Sequence, residues 1–218
     1  MLQRVLEPEV MDTAEEAHDY DAMDHSNVNR VFAADFLAVW DGRGPIVDLG
    51  TGTAQIPIEF CRQSPTGTIV AIDVAAHMLT VARDNIRKAG LDHRITVQLV
   101  DAKGMPFADR SIVAIMSNSI VHHIPDPRTV FAEIARVAAP GATIFLRDLL
   151  RPTDGETLQQ LVETYAAGAN DHQKRMFSES LHAALTVPEV QELVAGIGMD
   201  PMGVKQTTDR HWTWVKKG

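Results

Sequence analysis

Short apolar runs alternate with stretches of helical period through the middle of the chain. The runs predict buried strands at residues 46–49, 68–72, 95–100, 112–116 and 143–146. Apolar residues at helical spacing predict a first helix from about Asn27 to Trp40, and further helices that end near Arg62, Gly90 and Ala139. This alternation is typical of a mostly parallel sheet with helices on both faces.

The pattern changes at both ends of the chain. Residues 1–26 are polar and acidic without a clear period, and residues 151–185 predict helices but no strand. A capping box at Thr186 and Glu189 predicts one more helix, and strand candidates at 202–207 and 210–215 predict a closing hairpin. We therefore predict a single domain over residues 1–218. Its segments are an N-terminal helical cap (1–40), a core (41–150), a helical cover (151–200) and a C-terminal strand pair (201–218).

Composition narrows the class of protein. The chain has 218 residues, 45% hydrophobic and 22% charged, which is ordinary for one globular domain. A net charge of -9 argues against binding to nucleic acid or to an anionic membrane. The only cysteine, Cys61, excludes an intramolecular disulfide and a cysteine-based zinc site. The first residues lack the apolar stretch of a signal peptide or membrane span, so we expect a cytoplasmic protein without membrane insertion.

Two of the apolar runs end in an acidic residue. Asp48 closes the first run and precedes a glycine-rich turn at residues 50–53, and Asp73 closes the second run. In a parallel sheet this arrangement predicts a nucleotide site at the carboxyl ends of the strands. The dinucleotide fingerprint has a third glycine where Gln55 stands, and a carboxylate at Asp48 suits an ammonium better than a pyrophosphate. An NAD-dependent oxidoreductase is therefore disfavoured.

Five segments resemble, in order and spacing, the motifs of class I S-adenosylmethionine-dependent methyltransferases. They are residues 48–53, 72–79, 100–109, 117–124 and 136–141, and together they span about half the chain. Thr53 departs from the third glycine common in the first motif. The most similar subgroup contains the menaquinone and ubiquinone biosynthesis methyltransferases. The resemblance implies a Rossmann-like seven-stranded α/β sheet of order 3-2-1-4-5-7-6, with an antiparallel last strand and a helical insertion after strand five.

The resemblance also implies S-adenosyl-L-methionine as the cofactor. Asp48 and the backbone of residues 50–52 would lie along its methionine portion, and Asp73 would accept from the ribose hydroxyls. Asn118 would face the methyl group, and Tyr20 would close over the cofactor. The core at 41–150 is then the cofactor-binding segment.

The adenine end would be held by residues after the second and third strands. Met78 would pack on the ring, while Asp101 would accept from its amine beside the Ala102 amide. The complete implied set is Tyr20, Asp48, Gly50, Thr51, Gly52, Asp73, Met78, Asp101, Ala102 and Asn118.

No catalytic residue follows from the motifs, because methyl transfer depends mainly on aligning the acceptor, the methyl group and the sulfur. The candidates are His122, His123 and Asp148, which follow strands four and five. The helical cover is expected over an acceptor pocket, with Phe177, His182 and His211 as candidate lining residues.

The expected acceptor is a small molecule. Asn118 is not followed by the Asn-Pro-Pro-Tyr-like segment of nucleic-acid methyltransferases, and the acidic charge agrees. No metal site is expected, because the acidic and histidine residues near position 20 fit no metal-ligand spacing. A monomer and a homodimer both remain open. So do a non-catalytic cofactor-binding module and an enzyme that modifies S-adenosylmethionine itself.

Overall fold

The computed structural model describes residues 2–7, 10 and 12–218. Its strands are β1 (Ile46–Leu49), β2 (Ile69–Asp73), β3 (Ile95–Leu99), β4 (Ile112–Asn118), β5 (Ala138–Leu149), β6 (Val204–Gln206) and β7 (His211–Lys216). Its α-helices are α1 (Ala14–Asp21), α2 (Ser26–Leu37), α3 (Gln55–Gln63), α4 (Ala76–Ala89), α5 (Arg128–Val137), α6 (Gly155–Tyr165), α7 (Asp171–Ala183) and α8 (Val187–Gly196). Short 3-10 turns lie at Val121–His123 and Pro201–Gly203.

The strands form one sheet in the order β3-β2-β1-β4-β5-β7-β6. Strand β1 pairs in parallel with β2 and β4, and β2 pairs in parallel with β3. Strand β6 runs antiparallel to β7. The register places Leu49 beside Ile72, so β1 and β2 end at the same edge of the sheet. The predicted fold class and strand order are confirmed.

The described residues divide into two compact units. The larger unit comprises Val10–Asn118, Thr129–Leu146 and Val215–Gly218, and the smaller comprises Met1–Glu9, Ser119–Arg128 and Arg147–Trp214. Strand β5 supplies residues to both. The division into cap, core, cover and strand pair stays a prediction.

An aromatic cluster forms part of the core of the larger unit. Phe36 of α2 is fully buried, and its ring centroid lies 5.8 Å from that of Phe60 and 6.0 Å from that of Phe145. The ring of Phe145 also meets Phe32 edge-on at 5.1 Å. Aromatic rings at these separations add directional attraction to the burial of their apolar surface. This cluster therefore fixes α2 against β5 and α3.

The smaller unit has a core of its own beneath α6 and α7. Leu158, Leu161 and Leu181 are buried there. The side chain of Phe177 packs against them and is partly buried. The segment at residues 2–7 is attached to this unit by Arg4. Its guanidinium donates to the carbonyl oxygens of Ala183 at 2.7 Å and of Ile124 at 2.9 Å, among others.

The structure differs from the sequence prediction in several elements. Helix α1 lies in the stretch read as having no period, and its capping box pairs Thr13 with Glu16. Strand β5 is longer than predicted at both ends. Strand β6 is shorter, because a 3-10 turn capped by Asp200 occupies Pro201–Gly203. Among the described residues, no helix is long and apolar enough to cross a membrane.

Replacing Phe36 with alanine should lower the free energy of unfolding by about 3–5 kcal/mol, because the change opens a cavity among packed rings. Val31→Ala on the same helix is the control, since Val31 is 39% exposed; its effect should stay within about 0.5 kcal/mol. Urea denaturation followed by circular dichroism measures both. Equal losses in the two variants would contradict the assigned core.

Candidate active site

The turn between β1 and α3 has the backbone of a ligand loop. Gly50 and Gly52 have φ angles of 67° and 54°, values that residues with a Cβ atom rarely adopt. The Thr51 amide donates to the Ile72 carbonyl at 2.9 Å, and the Gly52 amide donates to Asp73 Oδ2 at 2.8 Å. The turn is therefore tied to the end of the neighbouring strand.

Asp73 is held by two backbone amides. In addition to the Gly52 contact, its Oδ1 accepts from the Ala75 amide at 2.9 Å. Burial raises the pKa of this carboxyl above its usual value. Each carboxylate oxygen can accept a second hydrogen bond, so Asp73 keeps acceptor capacity for a ligand.

Asp48 is more deeply buried, at 3% exposure. Burial raises the pKa of its carboxyl to about 7, and the negative charge of Asp73 acts in the same direction. Removing a carboxylate from water disfavours its charged form unless a cation compensates. This position therefore favours a cationic ligand.

Asp48 and the turn line a cavity of about 240 Å³ within the larger unit. A single water needs only about 10–15 Å³ by the same measure, so the cavity has room for an organic ligand. Its charged lining is mostly acidic, with Asp21, Asp24 and Glu59 beside Asp48 and with Arg62 of opposite sign. The full lining is Tyr20, Asp21, Met23, Asp24, His25, Ser26, Asn29, Asp48, Gly50, Thr51, Gly52, Thr53, Gln55, Ile56, Glu59, Arg62 and Asn118.

One buried hydroxyl in this lining points to a polar ligand. Thr53 is 1% exposed, and its Oγ1 has no hydrogen-bond partner in the part of the chain that the structure describes. A buried polar group left without a partner is costly, so a hydrogen bond to a ligand would stabilise this hydroxyl.

The predicted cofactor residues fall into two groups. Tyr20, Asp48, Gly50, Thr51, Gly52 and Asn118 line the cavity. Met78 is instead buried with Ala17, Ala75 and Val81, and Tyr20 packs against this group. Asp101 accepts from the Lys103 amide at 2.8 Å and pairs with Lys103 Nζ at 3.1 Å, and Ala102 lies in the same turn.

The sequence did not reveal the partners of Asp21. Its Oδ1 accepts from Gln55 Nε2 and from Asn85 Nδ2, both at 2.8 Å. These bonds join the end of α1 to the start of α3 and to α4. Gln55, which replaces the third glycine of the dinucleotide fingerprint, therefore anchors the N-terminal segment beside the cavity.

The catalytic candidates form a buried cluster in the smaller unit. His122 Nδ1 lies 2.5 Å from Asp148 Oδ1, and Asp148 Oδ2 accepts from the Val121 amide at 2.5 Å and from the His122 amide at 3.3 Å. Burial opposes the charge on Asp148, but His122 and the amide donors outweigh it and lower the pKa of the carboxyl. Burial likewise opposes a charged His122, but Asp148 and Glu7 raise the pKa of the imidazole.

Glu7 is the residue of this cluster that sequence reasoning missed. Its Oε1 lies 3.4 Å from His122 Nε2 and 3.0 Å from His123 Nδ1. Its Oε2 accepts from the Ser180 hydroxyl at 3.1 Å. No local pattern signals these contacts, because Glu7 stands in a polar N-terminal stretch far from the histidines in sequence.

The three candidate acceptor residues also belong to the smaller unit. Phe177 packs on the apolar cluster under α6 and α7. The carbonyl of His182 accepts from the Val5 amide at 3.1 Å. His211 Nδ1 lies 2.9 Å from Thr208 Oγ1, and burial lowers the pKa of this imidazole to about 4. Their role toward an acceptor stays a prediction.

Residues 47–146 match a protein family that is described as a methyltransferase domain. Methyltransferase GfsG of Streptomyces halstedii is 31% identical over 121 residues, 55% of this chain and 43% of the relative. The demethylmenaquinone methyltransferase of Porphyromonas gingivalis is 26% identical over 179 residues, 79% of this chain and 73% of the relative. The chain thus spans less than half of the first relative.

The chain is similar to methyltransferases over residues 47–146, and its fold is that of S-adenosylmethionine-dependent methyltransferases. A solved structure of a proposed S-adenosyl-L-methionine-dependent methyltransferase of Methanococcus maripaludis has the same fold, with a TM-score of 0.71. It is 20% identical, and the match covers 98% of each chain. The cofactor of this family carries an ammonium and a sulfonium, which suit the acidic lining and the buried Asp48.

We expect the affinity for S-adenosylmethionine to rise about tenfold between pH 5.5 and pH 7, because Asp48 gains its charge on approaching pH 7. Calorimetric titration at several pH values measures this. Asp48→Asn should bind more weakly at pH 7 and lose most of the dependence. His25 and Asp73 remain in that variant, so an unchanged pH profile would assign the effect to them and contradict the prediction.

Proposed function

We propose that this chain transfers a methyl group from S-adenosylmethionine to a small-molecule acceptor. The observation that carries this proposal is the acidic cavity beside the glycine turn. Asp48 is buried in its lining, and the half-buried Asp73 accepts from the Gly52 amide of the same turn. A pyrophosphate would be repelled there, whereas an ammonium and a sulfonium would be attracted.

The methionine end of the cofactor fits the cavity lining. Asp48 would pair with the ammonium, and the Gly50–Gly52 backbone would lie along the methionine chain. The Thr53 hydroxyl supplies a further polar contact, since it has no partner in the described chain. Asn118 and Tyr20 also line this cavity, which supports their predicted places near the methyl group and over the cofactor.

The ribose and adenine contacts are proposed on the ends of β2 and β3. Asp73 has acceptor capacity left for the ribose hydroxyls after it binds the Gly52 and Ala75 amides. Asp101 and Ala102 follow β3, at the same sheet edge, and would meet the adenine amine and ring. Met78 would reach the ring from the start of α4.

The cofactor supplies a methyl group activated by a positive sulfur. An electron pair of the acceptor would form the new bond to the methyl carbon as the carbon–sulfur bond breaks, and the electrons of that bond would leave with the sulfur of S-adenosylhomocysteine. The protein contributes alignment, which can supply up to roughly 7–11 kcal/mol of barrier lowering. A base is needed only where the acceptor atom loses a proton, and His122, His123 and Asp148 stay candidates.

A small-molecule acceptor suits this proposal. The Porphyromonas relative is named for demethylmenaquinone, a small molecule. The net charge of -9 and the acidic cavity lining disfavour a polyanionic acceptor. Phe177, His182 and His211 are retained as candidate acceptor contacts. A cytoplasmic location, and the choice between monomer and homodimer, stay predictions.

Asp73→Ala should weaken binding of S-adenosylmethionine and S-adenosylhomocysteine at least tenfold, because charge-assisted hydrogen bonds are worth about 1.5–3 kcal/mol each. Isothermal calorimetry measures both ligands. Asp73→Asn keeps an acceptor for the Gly52 amide and separates loss of the ligand contact from collapse of the turn. Asp126→Ala, another aspartate that accepts a backbone amide, should bind like wild type. If the folded wild-type protein binds neither ligand, the proposed cofactor site is wrong.

Turnover is tested by release of S-adenosylhomocysteine in a panel of acceptors that starts with demethylated menaquinol. We expect release that depends on one acceptor class and that Asp73→Ala suppresses. Tight cofactor binding with no release across the panel would favour a non-catalytic binding module. A product derived from the cofactor without any acceptor would favour an enzyme that modifies S-adenosylmethionine.

A further inference from the structure

Two imidazoles and a carboxylate meet in the smaller unit at distances suited to a metal ion. The ligand atoms are Glu7 Oε1, His122 Nε2 and His123 Nδ1, all within 4.8 Å of one another. Around a tetrahedral zinc with bonds of about 2.0–2.1 Å, neighbouring ligand atoms lie about 3.3 Å apart. The separations of 3.4 Å and 3.0 Å from Glu7 Oε1 to the two histidines bracket that value.

The cluster is buried rather than a chance grouping at the surface. The side chains of Glu7 and His122 are 9% and 4% exposed, and that of His123 is 25% exposed. Exposed acidic groups gather often without binding a cation, but buried ones need compensation for lost hydration. The 25% exposure of His123 leaves a path by which an ion can enter.

Two of the three ligands are each oriented by a second residue. Asp148 Oδ1 lies 2.5 Å from His122 Nδ1, which leaves Nε2 as the nitrogen that faces Glu7. A carboxylate behind a histidine fixes the tautomer and ring orientation in many zinc sites. The Ser180 hydroxyl similarly holds Glu7 Oε2 and leaves Oε1 for the cluster.

The local charge also favours a cation. Two carboxylates, Glu7 and Asp148, face His122, and the guanidinium of Arg4 lies close by. The Arg4 donors are directed to backbone carbonyls of Ala183, Pro125, His122 and Ile124, so Arg4 pairs with neither carboxylate in these contacts. Glu7 and Asp148 are therefore left to the histidines and to any ion bound between them.

We propose that Glu7, His122 and His123 bind a divalent transition-metal ion, with Zn²⁺ as the preferred occupant. Imidazole and carboxylate ligands suit Zn²⁺ better than Mg²⁺ or Ca²⁺, which select oxygen ligands. Three protein ligands leave one tetrahedral position for water or another small ligand, as in zinc sites that are not closed. The sequence analysis expected no metal site. Glu7 lies far from the histidine pair in the chain, so no local spacing signals this cluster.

The test is Zn²⁺ binding to the chelator-treated full chain, measured by competition with a chromophoric chelator and by metal analysis after dialysis. We expect about one zinc ion per chain. Glu7→Gln and His123→Ala should each weaken binding at least tenfold, and both leave the His122–Asp148 contact intact. The control is His77→Ala, which removes a histidine that pairs with a single carboxylate, Asp12, at 3.1 Å; its zinc affinity should equal that of wild type.

Two further measurements test metal binding without depending on methyltransferase activity. Co²⁺ should give visible absorption bands of a four-coordinate site in wild type and in His77→Ala, but not in Glu7→Gln. Zn²⁺ should raise the melting temperature of wild type more than that of Glu7→Gln, because an ion that binds the folded state stabilises it. Folding of each variant is checked by circular dichroism. Absence of binding by folded wild type, or binding that Glu7→Gln and His123→Ala leave unchanged, would overturn the site.

Discussion

The hydrogen bond from the Gly52 amide to Asp73 Oδ2 is the contact on which the cofactor site depends. It joins the turn after β1 to the end of β2, and the Thr51 amide adds a second bond to the Ile72 carbonyl. Both bonds require the turn to fold back at Gly50 and Gly52, where φ is positive. Asp73 is therefore a structural acceptor for the turn before it is an acceptor for any ligand, and the two roles share one carboxylate.

The sheet could be predicted from the sequence because its signals are local. Each buried strand is a short apolar run. The confirmed strand order, by contrast, was implied by the resemblance to methyltransferases that the motifs at the strand ends carry. Helix α1 escaped prediction because only Ala17 of its residues is buried, so it carries no apolar stripe. Its one local signal was the capping box formed by Thr13 and Glu16.

The site was predictable only as far as residues next to the strand ends reach. Asp48, the glycine turn and Asn118 were found because strand ends meet at one edge of a parallel sheet. The contacts of Gln55 with Asp21 and of Glu7 with the histidines were not found, because they join segments whose proximity depends on tertiary packing. Such pairings leave no periodic trace in the chain.

The two buried aspartates Asp148 and Asp48 have pKa values shifted in opposite directions. Burial opposes the charge on Asp148, but the His122 imidazole and the Leu149 amide outweigh it, so the pKa of this carboxyl is lowered and it is ionised as part of the framework. Asp48 lacks comparable compensation, and burial raises the pKa of its carboxyl to about 7. Because protonated Asp48 is favoured in the folded state, it contributes on the order of 4 kcal/mol to the free energy of unfolding below about pH 4. This contribution is lost as the pH rises through 7. A bound ammonium offsets this cost, so ionisation of Asp48 and cofactor binding are coupled.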